Sequence, residues 1–151
     1  MELKQSQLYP RIGTAVYILN PQNQLLLMRR AGSHGAGTWA PPGGKLEMRE
    51  SFFDCAKRET KEESNVDIGD IKIIGITNDI AEDTHYVTIH MLAIGAVGEP
   101  KIMESNKCTE IGWFDLNNFP KPLFWSVENF LKLDPECLCG SGKKLKECHG
   151  K

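Results

Sequence analysis

A chain of 151 residues, 40% hydrophobic and 25% charged, has the size and composition of one globular domain with a small appendage. Its net charge of −2 argues against broad sequence-independent binding to nucleic acid, so no nucleic-acid partner is expected. The opening MELKQSQLYP has no apolar signal core, and no apolar run is long enough to span a bilayer, which predicts a soluble, cytoplasmic protein.

Ile12 to Leu19 is rich in β-branched and aromatic residues and reads as a strand, closed by the turn signal Asn20-Pro21-Gln22-Asn23. Leu25 to Met28 follows as a second strand, and the pair reads as a hairpin. Gly32 to Gly37 is a glycine-rich loop, and the prolines of Trp39-Ala40-Pro41-Pro42-Gly43-Gly44 forbid a helix there. From Ser51 to Ser64 neither Gly nor Pro interrupts a run of helix formers, with Ser51 as N-cap and Asp54 at capping-box spacing. Strands are predicted over 71–80, 86–97 and 111–114, and a helix over 123–133 on the spacing of Leu123, Val127, Phe130 and Leu131. Strands on both sides of a central helix, with a second helix late, indicate a mixed α/β layer fold.

Five cysteines divide unevenly: Cys55 and Cys108 stand alone, whereas Cys137, Cys139 and Cys148 crowd the last fifteen residues. An odd count and that clustering favour a metal over a disulfide framework. Cys55 and Cys108 read as buried, unreactive thiols. Composition changes sharply near residue 135, dividing the chain into residues 1–134 and a tail of residues 135–151.

On the central helix Glu59, Glu62 and Glu63 are three and four apart, so they share a face and repel one another. A hard divalent cation relieves that repulsion, and Mg²⁺ favours a site of one or two carboxylates plus substrate phosphates. Just upstream, Gly43-Gly44 lets backbone approach a ligand closely. The segment closely resembles the Nudix box, G-x5-E-x7-R-E-U-x-E-E-x-G-U, where U is bulky and apolar. Gly44, Glu50, Arg58, Glu59, Glu62, Glu63 and Val66 match at the required spacings. Thr60 stands where the pattern has an apolar residue, and Asn65 where it has its second glycine. Asn tolerates the left-handed conformation, so the helix exit survives the change.

The resemblance covers roughly residues 11–133, with GSHGAGTW, HYVTI and PLFW similar to the MutT-type nucleotide diphosphatases, most of all their thiopurine-nucleotide diphosphatase branch. It implies an α/β/α sandwich around a mixed sheet, and Mg²⁺- or Mn²⁺-dependent hydrolysis of normal or damaged nucleoside triphosphates to monophosphate and pyrophosphate. An ADP-ribose or other nucleoside diphosphate-X pyrophosphatase is the second enzymatic reading, and a noncatalytic nucleotide-binding adaptor is the reading from another class. The resemblance assigns metal binding to Glu59 and Glu63, with Glu62 in support and Gly43 offering a carbonyl. Arg58 orients the carboxylates, and Glu50 fixes the loop against the helix. Glu62, Glu63 and Glu110 all remain candidates for the general base. Arg30 suits phosphate oxygens through its guanidinium fork, Gly44 belongs to the substrate loop, and Phe124, Trp125 and Thr88 are the candidates for base recognition. His85 and His90 receive no catalytic role.

Cys137-x-Cys139-x8-Cys148-His149 supplies four ligands for a closed Zn²⁺ site, with Lys143, Lys144 and Lys146 around the thiolates. The tail resembles the SEC-C motif, which implies a module that binds protein partners. Its length is too small for a core of its own, so order is expected to come from the metal. A homodimer, common in the Nudix family, is left open by the sequence.

Overall fold

Both faces of the first strand are apolar, and this decides where it lies. The computed structural model describes residues 8–150 except 33 and 82; most of the N-terminal decapeptide and Ser33 of the GSHGAGTW stretch fall outside it. β1 (Arg11–Ile18) buries every residue from Gly13 to Ile18. Alternate side chains feed two different cores: Ala15 and Tyr17 enter one, Val16 and Ile18 the other. Such a strand belongs in the middle of a layered fold.

The remaining elements are β2 (Gln24–Arg30), β3 (Trp39–Ala40), α1 (Phe52–Ser64), β4 (Asp67–Ile80), β5 (His85–Val97), β6 (Cys108–Asp115) and α2 (Trp125–Lys132). One sheet runs β1-β5-β4, with β1 parallel to β5 and β4 antiparallel to it; the other runs β3-β2-β6, all antiparallel. Ala56 of α1 packs into the core containing Val16, and Phe130 of α2 into the core containing Tyr17. The two helices therefore cover opposite faces of β1. The α/β sandwich with a mixed sheet, expected from the resemblance, is the fold observed.

The expected hairpin between β1 and β2 does not form. The Asn20 turn reverses the chain, with the Asn20 side chain accepting from the N–H groups of Gln22 and Gln24, but only Leu19 and Leu25 bridge. The two strands then part into different sheets. The physical reason is competition for an edge. The segment from Pro42 to Leu46 already occupies the side of β1 opposite β5, where Val16 donates to Pro42 (2.8 Å), Thr14 to Gly44 (2.8 Å) and Leu46 to Ile12 (3.0 Å). Strand limits also shift: β4 begins at Asp67 and β6 at Cys108, where polar residues masked the pattern.

α1 is bounded as expected. The Ser51 hydroxyl accepts from the Asp54 N–H at 3.0 Å, and Asn65 takes a left-handed conformation (φ 64°) whose N–H closes on Lys61. Thr60 is fully buried, and among the described residues its hydroxyl has no hydrogen-bond partner. α2 starts two residues later than the spacing predicts, because Leu123 and Phe124 are extended and pair with Trp39.

The tail does not stand apart. Leu138 and Leu145 are 7% and 8% exposed and share the core of Tyr17, Leu25, Leu27 and Phe130. The expectation that metal alone orders this segment therefore needs correcting, since it also borrows apolar burial from the larger fold.

An orphaned buried hydroxyl is a cost that an isosteric methyl removes. Thr60→Val is expected to raise stability by about 1 kcal/mol, read as a higher midpoint in thermal or urea denaturation.

Candidate active site

Pro42 and Gly44 direct their carbonyls at β1, so the intervening Gly43 faces the other way, toward α1. There its N–H donates to the Glu63 carboxylate. Gly43 has no room for a side chain because backbone lies against it, whereas a side chain on Gly44 would have to displace the Glu59 carboxylate. A Cβ on Gly43 would lie 1.9 Å from the Thr14 carbonyl oxygen, and one on Gly44 2.3 Å from the Glu59 carboxyl carbon. The loop and helix are thus pressed together at the acidic face.

Arg58 organises that face. Its Nε and one terminal nitrogen bind Glu50 as a fork at 2.7 and 2.9 Å, while the other terminal nitrogen meets Glu59 at 2.8 Å and Glu62 at 3.3 Å. A further bond reaches the Lys45 carbonyl at 3.2 Å. The Arg58 hydrogen bonds hold the Glu50 carboxyl down at about 2, and the same contacts push the Arg58 guanidinium above its ordinary value. These contacts tie the loop that carries Glu50 and Lys45 to the helix that carries Glu59 and Glu62.

The three box glutamates separate. Glu59 and Glu63 line the cleft, whereas Glu62, its side chain 51% exposed, leans outward on Arg58. Glu63 is pushed up to about 8, chiefly by burial and then by the charge and hydrogen bond of Glu59. Two carboxylates this close share a proton unless a cation replaces it. Glu59, Glu63 and the Gly43 backbone, an oxygen-only donor set, fit a hard divalent cation.

The cleft has a volume of about 660 Å³, ample for a nucleotide-sized ligand. Arg30 lines it, with its guanidinium 3.9 Å from the centre of the Phe124 ring. Burial lowers the Arg30 pKa and the Glu63 charge opposes that shift, so this cation feels the acidic face. Phe124 and Trp125 lie half-buried in the wall with ring centres 4.2 Å apart, and Thr88 stands in the wall as well. Glu110 does not reach the cleft. Cross-strand register sets it opposite Arg29, which it meets at 3.5 Å on the exposed side. The loop before β6 instead brings Glu104 to the cleft, held at 2.9 Å by Lys107.

Sequence reasoning missed Glu104, Lys107 and Asp79. Only the acid-and-base spacing of Glu104 and Lys107 offered a signal. His90 lies fully buried between Tyr17 (2.9 Å) and Thr77 (2.8 Å), and burial lowers its pKa to about 4, so it is a neutral structural residue. Cys55 and Cys108 are buried, and burial raises both thiols, Cys55 to about 11.

In the tail, the ligand atoms of Cys137, Cys139, Cys148 and His149 all lie within 4.8 Å of one another. A tetrahedral zinc with bonds of about 2.3 Å sets its sulfurs about 3.8 Å apart. The Cys139 and Cys148 sulfurs are 3.8 Å apart, and His149 Nδ1 is 3.3 Å from both Cys137 and Cys148. The donor set and its spacing fit zinc.

A NUDIX domain model matches residues 9–133, and a SEC-C motif model matches residues 136–151. This chain belongs to the Nudix hydrolase family. It is 31% identical to the oxidized purine nucleoside triphosphate hydrolase of Mus musculus, covering 88% of this chain and 86% of that one. It is 33% identical to the ADP-ribose pyrophosphatase of Methanocaldococcus jannaschii, covering 82% and 73%. Among solved structures, the MutT Nudix hydrolase from Burkholderia pseudomallei superposes with a TM-score of 0.77 at 29% identity, over 82% of this chain and 97% of that one. The MutT protein from Methanosarcina mazei superposes with a TM-score of 0.72 at 26% identity, over 83% and 94%. Among the described residues no helix is long and apolar enough to cross a membrane.

Two outcomes are expected from this geometry. Without added Mg²⁺ the folded state keeps a proton on Glu63 that the unfolded chain loses near its ordinary value of 4.5. Stability should then fall as pH rises from about 4.5 to about 8, because the native state binds the extra proton. Saturating Mg²⁺ or Glu63→Gln should flatten that slope in melting curves recorded across the range.

The second outcome concerns the tail. Metal analysis should find about one zinc per chain. Leu138→Ala should cost about 2–5 kcal/mol and lower the single melting transition of the whole protein, not just release zinc.

Proposed function

We propose that this Nudix hydrolase cleaves nucleoside triphosphates, normal or damaged, to nucleoside monophosphate and pyrophosphate. The observation that carries the reading is the meeting of Glu59, Glu63 and the Gly43-Gly44 backbone in one cleft with an aromatic wall at Phe124 and Trp125. A purely structural face would leave these acids solvated and apart. The oxidized purine nucleoside triphosphate hydrolase relative and the MutT structures support the same reaction class.

Nudix enzymes generally use a divalent cation such as Mg²⁺. Bound to Glu59, Glu63 and the Gly43 carbonyl, it would screen the phosphate charge and acidify an attacking water. Arg58 holds the Glu59 carboxylate in place at 2.8 Å. Arg30, held on the face of Phe124, offers its fork to phosphate oxygens. Glu62 supports the ion-pair network, and proton acceptance is assigned to Glu63 or Glu104, two of the acids that line the cleft. Phe124, Trp125 and Thr88 form the base subsite. Likeness to an ADP-ribose pyrophosphatase keeps a second enzymatic reading in view, which product identification separates. The intact carboxylate pair disfavours a noncatalytic adaptor.

Cys137, Cys139, Cys148 and His149 hold a structural zinc in this reading, since four protein ligands leave no position for water. Unoxidised zinc thiolates suit a reducing cytoplasm. The exposed Lys143, Lys144 and Lys146 are the surface through which the tail would meet a protein partner. Residues 1–134 and 135–151 remain the two functional units, joined by a shared core, and a homodimer is compatible with the fold.

Glu63→Gln should lower the Mg²⁺-dependent hydrolysis rate by at least a hundredfold, on the order of losing one charged catalytic ligand. A melting curve at neutral pH controls for folding. Unchanged turnover at every Mg²⁺ concentration would remove Glu63 from the site.

A further inference from the structure

Asp79, on β4, is 1% exposed and yet forms part of the cleft wall. Every polar neighbour directs a proton at it. The Thr77 hydroxyl donates to Oδ2 at 3.1 Å, the Thr88 hydroxyl donates to the same oxygen, and the Asn129 amide donates to Oδ1 at 2.8 Å. Because Thr77 gives its proton to Asp79, it must accept from His90 Nε2–H, and His90 Nδ1 then accepts from the Tyr17 hydroxyl. A directed chain, Tyr17 to His90 to Thr77, thus ends on this carboxylate. Among the described residues it has no ion-pair partner.

A buried carboxylate without a cation is expensive, and folding alone gives no reason to keep one in a cleft wall. Counting lone pairs shows what remains on offer. Oδ2 already accepts two bonds, whereas Oδ1 accepts one and keeps an open acceptor position. Thr88 Oγ1, whose proton is committed to Asp79, can act toward a ligand only as an acceptor. Asp79 and Thr88 therefore present two neighbouring acceptors to the cleft and, between them, no donor. Across the same cleft stand the Phe124 and Trp125 rings, suited to the face of a planar base.

We infer that Asp79 and Thr88 read the edge of the nucleobase and select one that offers adjacent N–H donors, the arrangement of guanine at its ring N–H and amino group. Bases that present a carbonyl at the amino position meet a carboxylate with no proton between them. This rests on the nucleotide-substrate reading of the cleft, but it specifies which bases are taken and why.

Two nucleotide comparisons with the wild-type protein test it without any mutation. Guanosine, inosine and xanthosine monophosphates carry an amino group, a hydrogen or a carbonyl at one ring position; the carbonyl also puts a proton on the adjacent ring nitrogen that is lost near neutral pH, so binding of each is measured by calorimetry at mildly acidic pH. Hydrolysis of the matching triphosphates is measured in parallel with Mg²⁺. A hydrogen bond to a charged acceptor translates into roughly a ten- to hundredfold preference for guanosine over xanthosine, with inosine between them. Asp79→Asn, isosteric but able to donate, should compress or invert that order while Mg²⁺ dependence is retained. Equal binding of the three monophosphates, or a preference for xanthosine, overturns the assignment. Guanosine-selective binding without triphosphate hydrolysis would support Asp79 and sink the hydrolase reading instead. If Asp79→Asn fails to fold, as a melting curve would reveal, the wild-type series still decides.

Discussion

Arg58 pairs with four glutamates through one guanidinium, hydrogen-bonding Glu50, Glu59 and Glu62 and reaching Glu47 at 3.7 Å, and the acidic face of α1 depends on that arrangement. Glu50 lies at the end of the glycine loop and Glu59 one residue along the helix, so the same cation clamps loop to helix and fixes a carboxylate that lines the cleft. The fork to Glu50 is short and mostly shielded, with the Glu50 side chain only 12% exposed, which makes it worth more than a surface pair. Glu63 receives no such help. It sits beside Glu59 with the Gly43 N–H and the charges of Arg30 and Lys107 in its favour. One carboxylate is paired directly with an arginine of the protein and the other is not. That asymmetry turns a row of like charges into a binding site.

The glycine loop could not reach α1 without β1. Hydrogen bonds from Val16 and Thr14 fix the carbonyls of Pro42 and Gly44, and extended-chain alternation then turns Gly43 toward Glu63. The edge of β1 is thereby used for function, and β2 is displaced into the second sheet. The misread hairpin and the well-formed site have the same cause.

Much of this was legible in the sequence because it is encoded at short range. Spacing alone put Glu59 and Glu63 on one helical face, Ser51 marked the cap, and Asn65 marked the left-handed exit. Cys137, Cys139, Cys148 and His149 were legible for the same reason, since their positions lie within one small turn-rich segment. What depended on register was not legible. Glu110 and Glu104 are both acids near β6, and only the pairing of Glu110 with Arg29 shows which of them faces away. Asp79 looked like one more polar residue at the end of a strand, because nothing local reveals that Thr88 and Asn129 converge on it. The packing of Leu138 and Leu145 beneath α2 was hidden by composition: a tail rich in Cys, Gly and Lys does not advertise two core leucines.

α2 connects these separate features. Phe124 at its cap and Trp125 in its first turn line the cleft, Asn129 in its middle donates to Asp79, and Phe130 beside it packs on Tyr17 and stacks 4.7 Å from His90. The core that Phe130 enters is the one completed by Leu138 and Leu145 of the tail. The helix is only eight residues long, too short to hold its shape without tertiary support. Whatever orders the tail therefore supports the far side of α2, and α2 in turn sets the wall against which a base would lie. Close packing makes this a mechanical connection, because a cavity opened under Phe130 is relieved by moving the helix that carries Asn129 and Trp125. The tail is thus a buttress of α2 and of the cleft wall it carries, not an accessory attached after the larger fold ends.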